Sequence, residues 1–127
     1  MADKDTYQDD SLAPAPQPGE NGASQPGGET FCGVAAAVAV LGDAWTLLLV
    51  RDLADEPRRF TALQASTGIS PRVLTDRLRK MMDEGLVTRR IYAEIPPRVE
   101  YTLTPKGRDA VAVVAALRTY GERWLRQ

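Results

Sequence analysis

Histidine is missing from this sequence altogether, and cysteine occurs once, at Cys32. The first absence removes the side chain used most often as a general base near neutral pH, and with it the commonest zinc ligand. The second excludes an internal disulfide, and the two together exclude a zinc finger. No run of about 18 apolar residues occurs, so no membrane span is expected. There is no Gly-rich phosphate loop and no nucleophile–base pair, so neither an enzyme nor a bound cofactor or metal is expected. The opening MADKDTYQDD is acidic and polar, unlike a signal peptide, and a lone cysteine suits a reducing compartment. The expected location is cytoplasmic.

The formal net charge of −1 conceals a segregation. Residues 1–30 hold six acidic side chains against Lys4 alone, whereas Arg58 to Arg98 holds nine basic residues against four acidic ones. The basic excess is concentrated in the middle of the chain, where a polyanionic partner would find it. Residues 1–30, with the run APAPQPGENGASQPGGE, have too few large apolar side chains to offset the entropy of ordering, and are read as a disordered acidic tail.

From residue 31 to 127 the composition is that of a packed domain. GVAAAVAVLG reads as a short helix closed by Gly42, and Asp43 caps the next, AWTLLLVRDLADE, which is apolar on most sides and ends before Pro57. After Arg58-Arg59 and a short strand, FTALQAST forms a third helix with Phe60, Ala62 and Leu63 inward and Gly68 as its stop. Ser70 is an N-cap and Pro71 suits the first helical position of a fourth helix, in which Leu74, Leu78, Met81 and Met82 recur at helical spacing. LVTRRIYAE and RVEYTLT read as antiparallel strands joined by a loop containing Pro96-Pro97, which cannot donate to a ladder. Val87, Arg89 and Ile91 share one face of the first strand; Val99, Tyr101 and Leu103 share one face of the second. Thr104 then caps a final helix expected to run to about Arg126, about 33 Å long.

This order predicts a mainly α fold with a small β-hairpin (α+β): a winged helix-turn-helix, whose second helix enters the major groove of duplex DNA. On the fourth helix, Arg72, Thr75, Asp76 and Arg79 fall opposite the apolar stripe. Guanidinium groups bond guanine edges or phosphates, and a threonine methyl can touch thymine. Asp76 would accept from cytosine or orient Arg72 or Arg79. Ser70 and Pro71 open a helix start whose free N–H groups suit a phosphate. Arg89, Arg90 and Arg98 flank the hairpin, where a wing meets the backbone or the minor groove, with Glu94 a competing partner for Arg98. The alternative for the helix is a solvated face with Arg72–Asp76 and Arg79–Asp83 pairs. The alternative for the protein is a winged-helix module that binds another protein rather than DNA.

The segments FCGVAAAVAVLGDAWTLLLVRDL, RRFTALQASTGISPRVLTDRLRKMMDEGLVTRR and YAEIPPRVEYTLTPKG together resemble the HxlR-type family of winged helix-turn-helix transcription regulators, from Cys32 to the C-terminus. The resemblance implies a homodimer on an inverted-repeat operator in double-stranded DNA. Two departures stand out: Ala44 occupies the place before Trp45 where relatives carry Lys or Arg, removing a candidate phosphate contact, and Gly33 rather than proline follows Cys32.

The final helix carries Ala110, Val113, Val114, Leu117, Tyr120 and Trp124 along one stripe, widened by Val111 and Leu125. It is expected to dimerise the protein together with the N-terminal helix; the alternative is that it only completes the core. A regulator needs an input. Some members of the family this chain resembles sense oxidants or electrophiles through a cysteine at the place of Cys32, where a helix start turns N–H groups toward the sulfur; the alternative is a small apolar interface residue. A small-molecule pocket lined by Phe31, Trp45, Met81, Met82, Tyr120 and Trp124 is the other candidate input.

Overall fold

The computed structural model describes residues 30–127, so the acidic tail, except Thr30, lies outside the described residues. The described residues belong to two units, and the chain passes from one to the other between Ala39 and Val40. The first carries most of helix α1 (Gly33–Leu41), whose residues from Gly33 to Ala39 are exposed.

The second unit runs from Val40 to Gln127. It contains α2 (Ala44–Leu53), α3 (Phe60–Thr67), α4 (Pro71–Asp83), β1 (Val87–Tyr92), β2 (Arg98–Leu103), α5 (Pro105–Asp109) and α6 (Val111–Trp124). Local sequence accounts for the helix boundaries. The Asp43 carboxylate accepts from the Thr46 N–H at 3.1 Å and opens α2, and the Ser70 hydroxyl accepts from the Val73 N–H at 3.3 Å and opens α4. Between α3 and α4 the chain turns at Gly68, whose φ of 76° lies in the left-handed region that a side chain would make costly.

The core is built from the apolar stripes these helices share. Leu49, Val50 and Leu53 of α2, Leu63 of α3, Leu74, Leu78 and Met81 of α4, and Ile69, Leu86 and Val87 are all buried. The hairpin joins this core by one end only. Its register pairs Val87 with Leu103, Arg89 with Tyr101 and Ile91 with Val99, which puts the two expected apolar faces on the same side. Val87, Tyr101 and Leu103 are buried at the base, while Ile91 is exposed toward the tip, so half of the ribbon stands away from the domain as a wing. The short strand expected near Arg58 is a single bridge: the Arg58 N–H donates to the Tyr101 carbonyl at 3.0 Å and the Tyr101 N–H returns a bond at 2.8 Å.

The single final helix does not form. It breaks at Ala110 into five-residue α5 and fourteen-residue α6, so α6 spans about 21 Å rather than 33 Å. The break has a tertiary cause. The Thr104 hydroxyl donates to the Gly85 carbonyl and accepts from the Gly107 N–H, and the Lys106 ammonium donates to the Glu84 carbonyl at 2.7 Å. A Cβ on Gly107 would lie 2.1 Å from the Leu86 carbonyl oxygen, so α5 presses backbone to backbone on the turn between α4 and β1. The Ala110 N–H then bonds the Gly107 carbonyl, a tighter closure than the α-helical one, and the chain bends to lay Val111 and Val114 against the core.

The apolar stripe of the C-terminal segment therefore divides. Ala110 is buried and Val111 and Val114 are half-buried, but Val113, Leu117, Tyr120, Trp124 and Leu125 are exposed. The expected pocket residues divide as well: Met81 is buried with Met82 and Trp45 against the core, whereas Tyr120 and Trp124 stand in solvent. Among the described residues, no single helix is long and apolar enough to cross a membrane.

Candidate nucleic-acid interface

Helix α4 is held by Leu74, Leu78 and Met81, and this fixes what its other side presents. Arg72, Thr75 and Arg79 are exposed there, with Ser70 and Pro71 exposed at its start. Among the described residues, neither Arg72 nor Arg79 enters an ion pair, so the alternative Arg72–Asp76 and Arg79–Asp83 pairs do not form. The helix start is narrower as a donor than expected. Pro71 has no N–H, the Val73 N–H goes to Ser70, and the Leu74 N–H bonds the Ser70 carbonyl, which leaves the Arg72 N–H. That donor sits on the residue that also carries a guanidinium.

Asp76 takes a different partner from those expected. Its carboxylate accepts from Arg77 Nη1 at 2.6 Å and lies 3.7 Å from the Lys80 ammonium. Arg77, which sequence reasoning passed over, is half-buried, and its Nε donates to Asp43 at 2.9 Å across 34 residues of chain. Burial works against the Asp43 carboxylate, but the bonds from Arg77 and from the Thr46 N–H outweigh it and hold Asp43 below its ordinary value. The same Asp43 bond, chiefly, raises the affinity of Arg77 for its proton. The signal available in the sequence was position: Arg77 falls at the seam beside the leucine stripe, where a cation needs a partner.

The wing arginines differ among themselves. Arg89 and Arg90 are exposed, make no ion pair among the described residues and, as neighbours on a strand, leave opposite faces of the ribbon. Arg98 is committed internally. Its guanidinium donates to Glu94 at 2.7 Å and Glu100 at 2.9 Å, and lies 3.9 Å from the Tyr92 ring centre. The bond from Arg98 holds the Glu94 carboxyl below its ordinary value. Arg98 thus stiffens the wing, and the cations left over for a polyanion are Arg89 and Arg90. Cys32 is exposed at the start of α1, with the Ala35 N–H 3.4 Å from its sulfur.

Comparison with known proteins agrees with this architecture. The family model described as HxlR-like helix-turn-helix matches residues 40–127. An uncharacterized HTH-type transcriptional regulator from Synechocystis is 40% identical over 98 residues, covering 76% of this chain and 73% of that protein. Among solved structures, the redox regulator HypR in its oxidized form superposes with a TM-score of 0.70 at 32% identity, covering 76% of this chain and all of that one. A MarR-family transcriptional regulator from Porphyromonas gingivalis superposes with a TM-score of 0.72 at 31% identity, covering 76% and 96%. The chain belongs to the HxlR-like helix-turn-helix family; it is a transcriptional regulator of the winged-helix type and not an enzyme.

Proposed function

We propose that this HxlR-like regulator acts as a homodimer that binds an inverted-repeat operator in double-stranded DNA and represses transcription there, with Cys32 as its input for oxidants. The observation that carries the reading is the pair of guanidinium groups, Arg72 and Arg79, without an ion-pair partner among the described residues, on the solvent side of a helix whose other side is locked by Leu74, Leu78 and Met81. An arginine with no protein partner keeps all its donors for a base edge or a phosphate. Thr75 between them adds a methyl and a hydroxyl, and Arg89 and Arg90 add charge from the wing. The exposed apolar face of α6 supports the twofold arrangement, which would set two copies of α4 about one duplex turn, ~34 Å, apart.

Cys32 is the input because it is exposed and has no second cysteine in its own chain. Oxidation would join it to the Cys32 of a second subunit or to a small thiol. One S–S bond forms, and two protons and two electrons pass to the oxidant. The likeness to a redox regulator supports the same assignment.

The test is a gel shift on the DNA upstream of the protein's own gene, with wild type and Cys32→Ser, with and without diamide. Wild-type binding should fall on the order of a thousandfold between 50 and 200 mM salt if about six phosphates are neutralised, and diamide should change it only when Cys32 is present. Binding indifferent to salt defeats the DNA reading; a diamide response that survives the substitution defeats the thiol input.

A further inference from the structure

Arg77 has no place in the reading above: it is half-buried, off the face that carries Arg72 and Arg79, and already bonded to two carboxylates. Those bonds occupy it from two directions. Asp76, on its own helix, accepts from Nη1, and Asp43, on the residue that opens α2, accepts from Nε. The same Asp43 oxygen receives the Thr46 N–H at 3.1 Å and lies 3.4 Å from the Thr46 hydroxyl, so one atom both starts α2 and holds the flank of α4. Thr46 is itself buried. The leucine stripe fixes one side of α4 by packing, which tolerates small rotations about the helix axis. A bidentate-capable guanidinium bonded at a defined angle does not.

From this we infer that Arg77 is a positioning residue for sequence reading: by tying the flank of α4 to the capping carboxylate of α2, it sets the rotation at which Arg72, Thr75 and Arg79 meet the groove. The inference rests on the proposed DNA binding, and it assigns Arg77 no contact with DNA.

The measurement is fluorescence anisotropy on two labelled duplexes, one carrying the operator selected by the wild-type protein from a random library and one scrambled, at several salt concentrations. The proteins are wild type, Arg77→Ala, Arg77→Lys, Asp43→Asn and the double variant Asp43→Asn/Arg77→Ala, each with its thermal midpoint. Asn still caps a helix, so Asp43→Asn removes the ion pair while keeping the start of α2.

Arg77→Ala and Asp43→Asn should each lower operator affinity about tenfold and leave scrambled-duplex affinity unchanged. The double variant should lose no more than Arg77→Ala alone, because Asp43→Asn removes an ion pair that Arg77→Ala has already removed. The slope of log affinity against log salt should match wild type in all of them, since no phosphate contact is lost. Arg77→Lys, with the charge but without the fork, should fall between. Equal losses on both duplexes, or a slope shallower by about one, would make Arg77 a phosphate contact and overturn the positioning role. A lowered midpoint with operator preference intact in the folded protein would overturn it too. If the wild type itself prefers no duplex, the proposed function fails and takes this inference with it; a wild type that discriminates beside an Arg77→Ala that discriminates equally defeats the inference alone.

Discussion

Helices α4 and α6 are nearly the same length, 13 and 14 residues, and both leave one side uncovered by the domain, yet what they leave is opposite in kind. The uncovered side of α4 carries Arg72, Thr75 and Arg79 around a short polar network; the uncovered side of α6 carries Val113, Leu117, Tyr120 and Trp124. Water solvates the first arrangement and not the second. Leu117 is 49% exposed and Trp124 65% exposed, and a contiguous apolar strip of that kind is costly on a lone soluble domain. On the proposed function the two helices take different occupants: a polyanion for α4, and another apolar surface, a second copy of the chain, for α6.

Charged side chains on α6 would make its uncovered side resemble that of α4. Leu117→Glu with Trp124→Glu should leave the monomer fold intact, since both side chains are exposed, but should abolish association by sedimentation at micromolar protein. Operator affinity should then fall on the order of a thousandfold, about 4 kcal/mol, because a large buried aromatic anchor is commonly an interface hot spot and two half-sites no longer bind together. A variant that stays dimeric would show that the apolar side of α6 is not the interface.

The converse change strips α4 of its cations. Arg72→Ala and Arg79→Ala should each weaken operator binding by about 1–3 kcal/mol with no change in thermal midpoint, because neither side chain has an ionic partner among the described residues. Loss restricted to the operator marks base reading, while uniform loss with a shallower salt slope marks phosphate contact.

What the sequence made legible in these two helices was the part decided locally. Ser70, Pro71 and the spacing of Leu74, Leu78 and Met81 define α4 and its outward side, and Pro96-Pro97 between alternating strands defines the hairpin and its two faces. What it hid was decided by partners distant along the chain. Arg77 was passed over because its partner Asp43 lies 34 residues away. The Arg98–Glu94 pair, four residues apart, was legible in the sequence; the second bond, to Glu100, was not. The continuous stripe from Ala110 to Trp124 predicted one helix because periodicity carries no record of Gly107 pressed on Leu86.

That contact decides where α6 starts rather than what it displays. Gly107→Ala would set a methyl against the Leu86 carbonyl, and backbone cannot yield as a flexible side chain can. The domain should lose about 2 kcal/mol, read as a shift in urea midpoint at constant slope. Gly121→Ala on α6, where nothing lies within 4 Å of the added carbon, is the matched control and should be neutral or stabilising. A tolerated Gly107→Ala would mean that α5 can lift from the turn, and the break at Ala110 would need another cause.

The smallest effect separates the two helices by pH. Asp43 sits below its ordinary value of 3.8 in the folded protein, because the bonds from Arg77 and the Thr46 N–H outweigh burial. A depressed carboxyl contributes stability that is complete above the unfolded value and disappears as pH falls through the folded one. With 38% of the side chain in water, that contribution should be under about 1 kcal/mol. Arg77, raised above an already high value, stays charged throughout and adds no pH dependence in this range. Urea unfolding of wild type and Asp43→Asn should therefore differ at neutral pH and converge on acidification below the ordinary carboxylate value. The apolar side of α6 offers no carboxyl to match, so Leu117→Ala should shift stability by the same amount across the acid range. Wild-type and Asp43→Asn curves that stay parallel into acid would show that the bond at the flank of α4 contributes nothing to the fold.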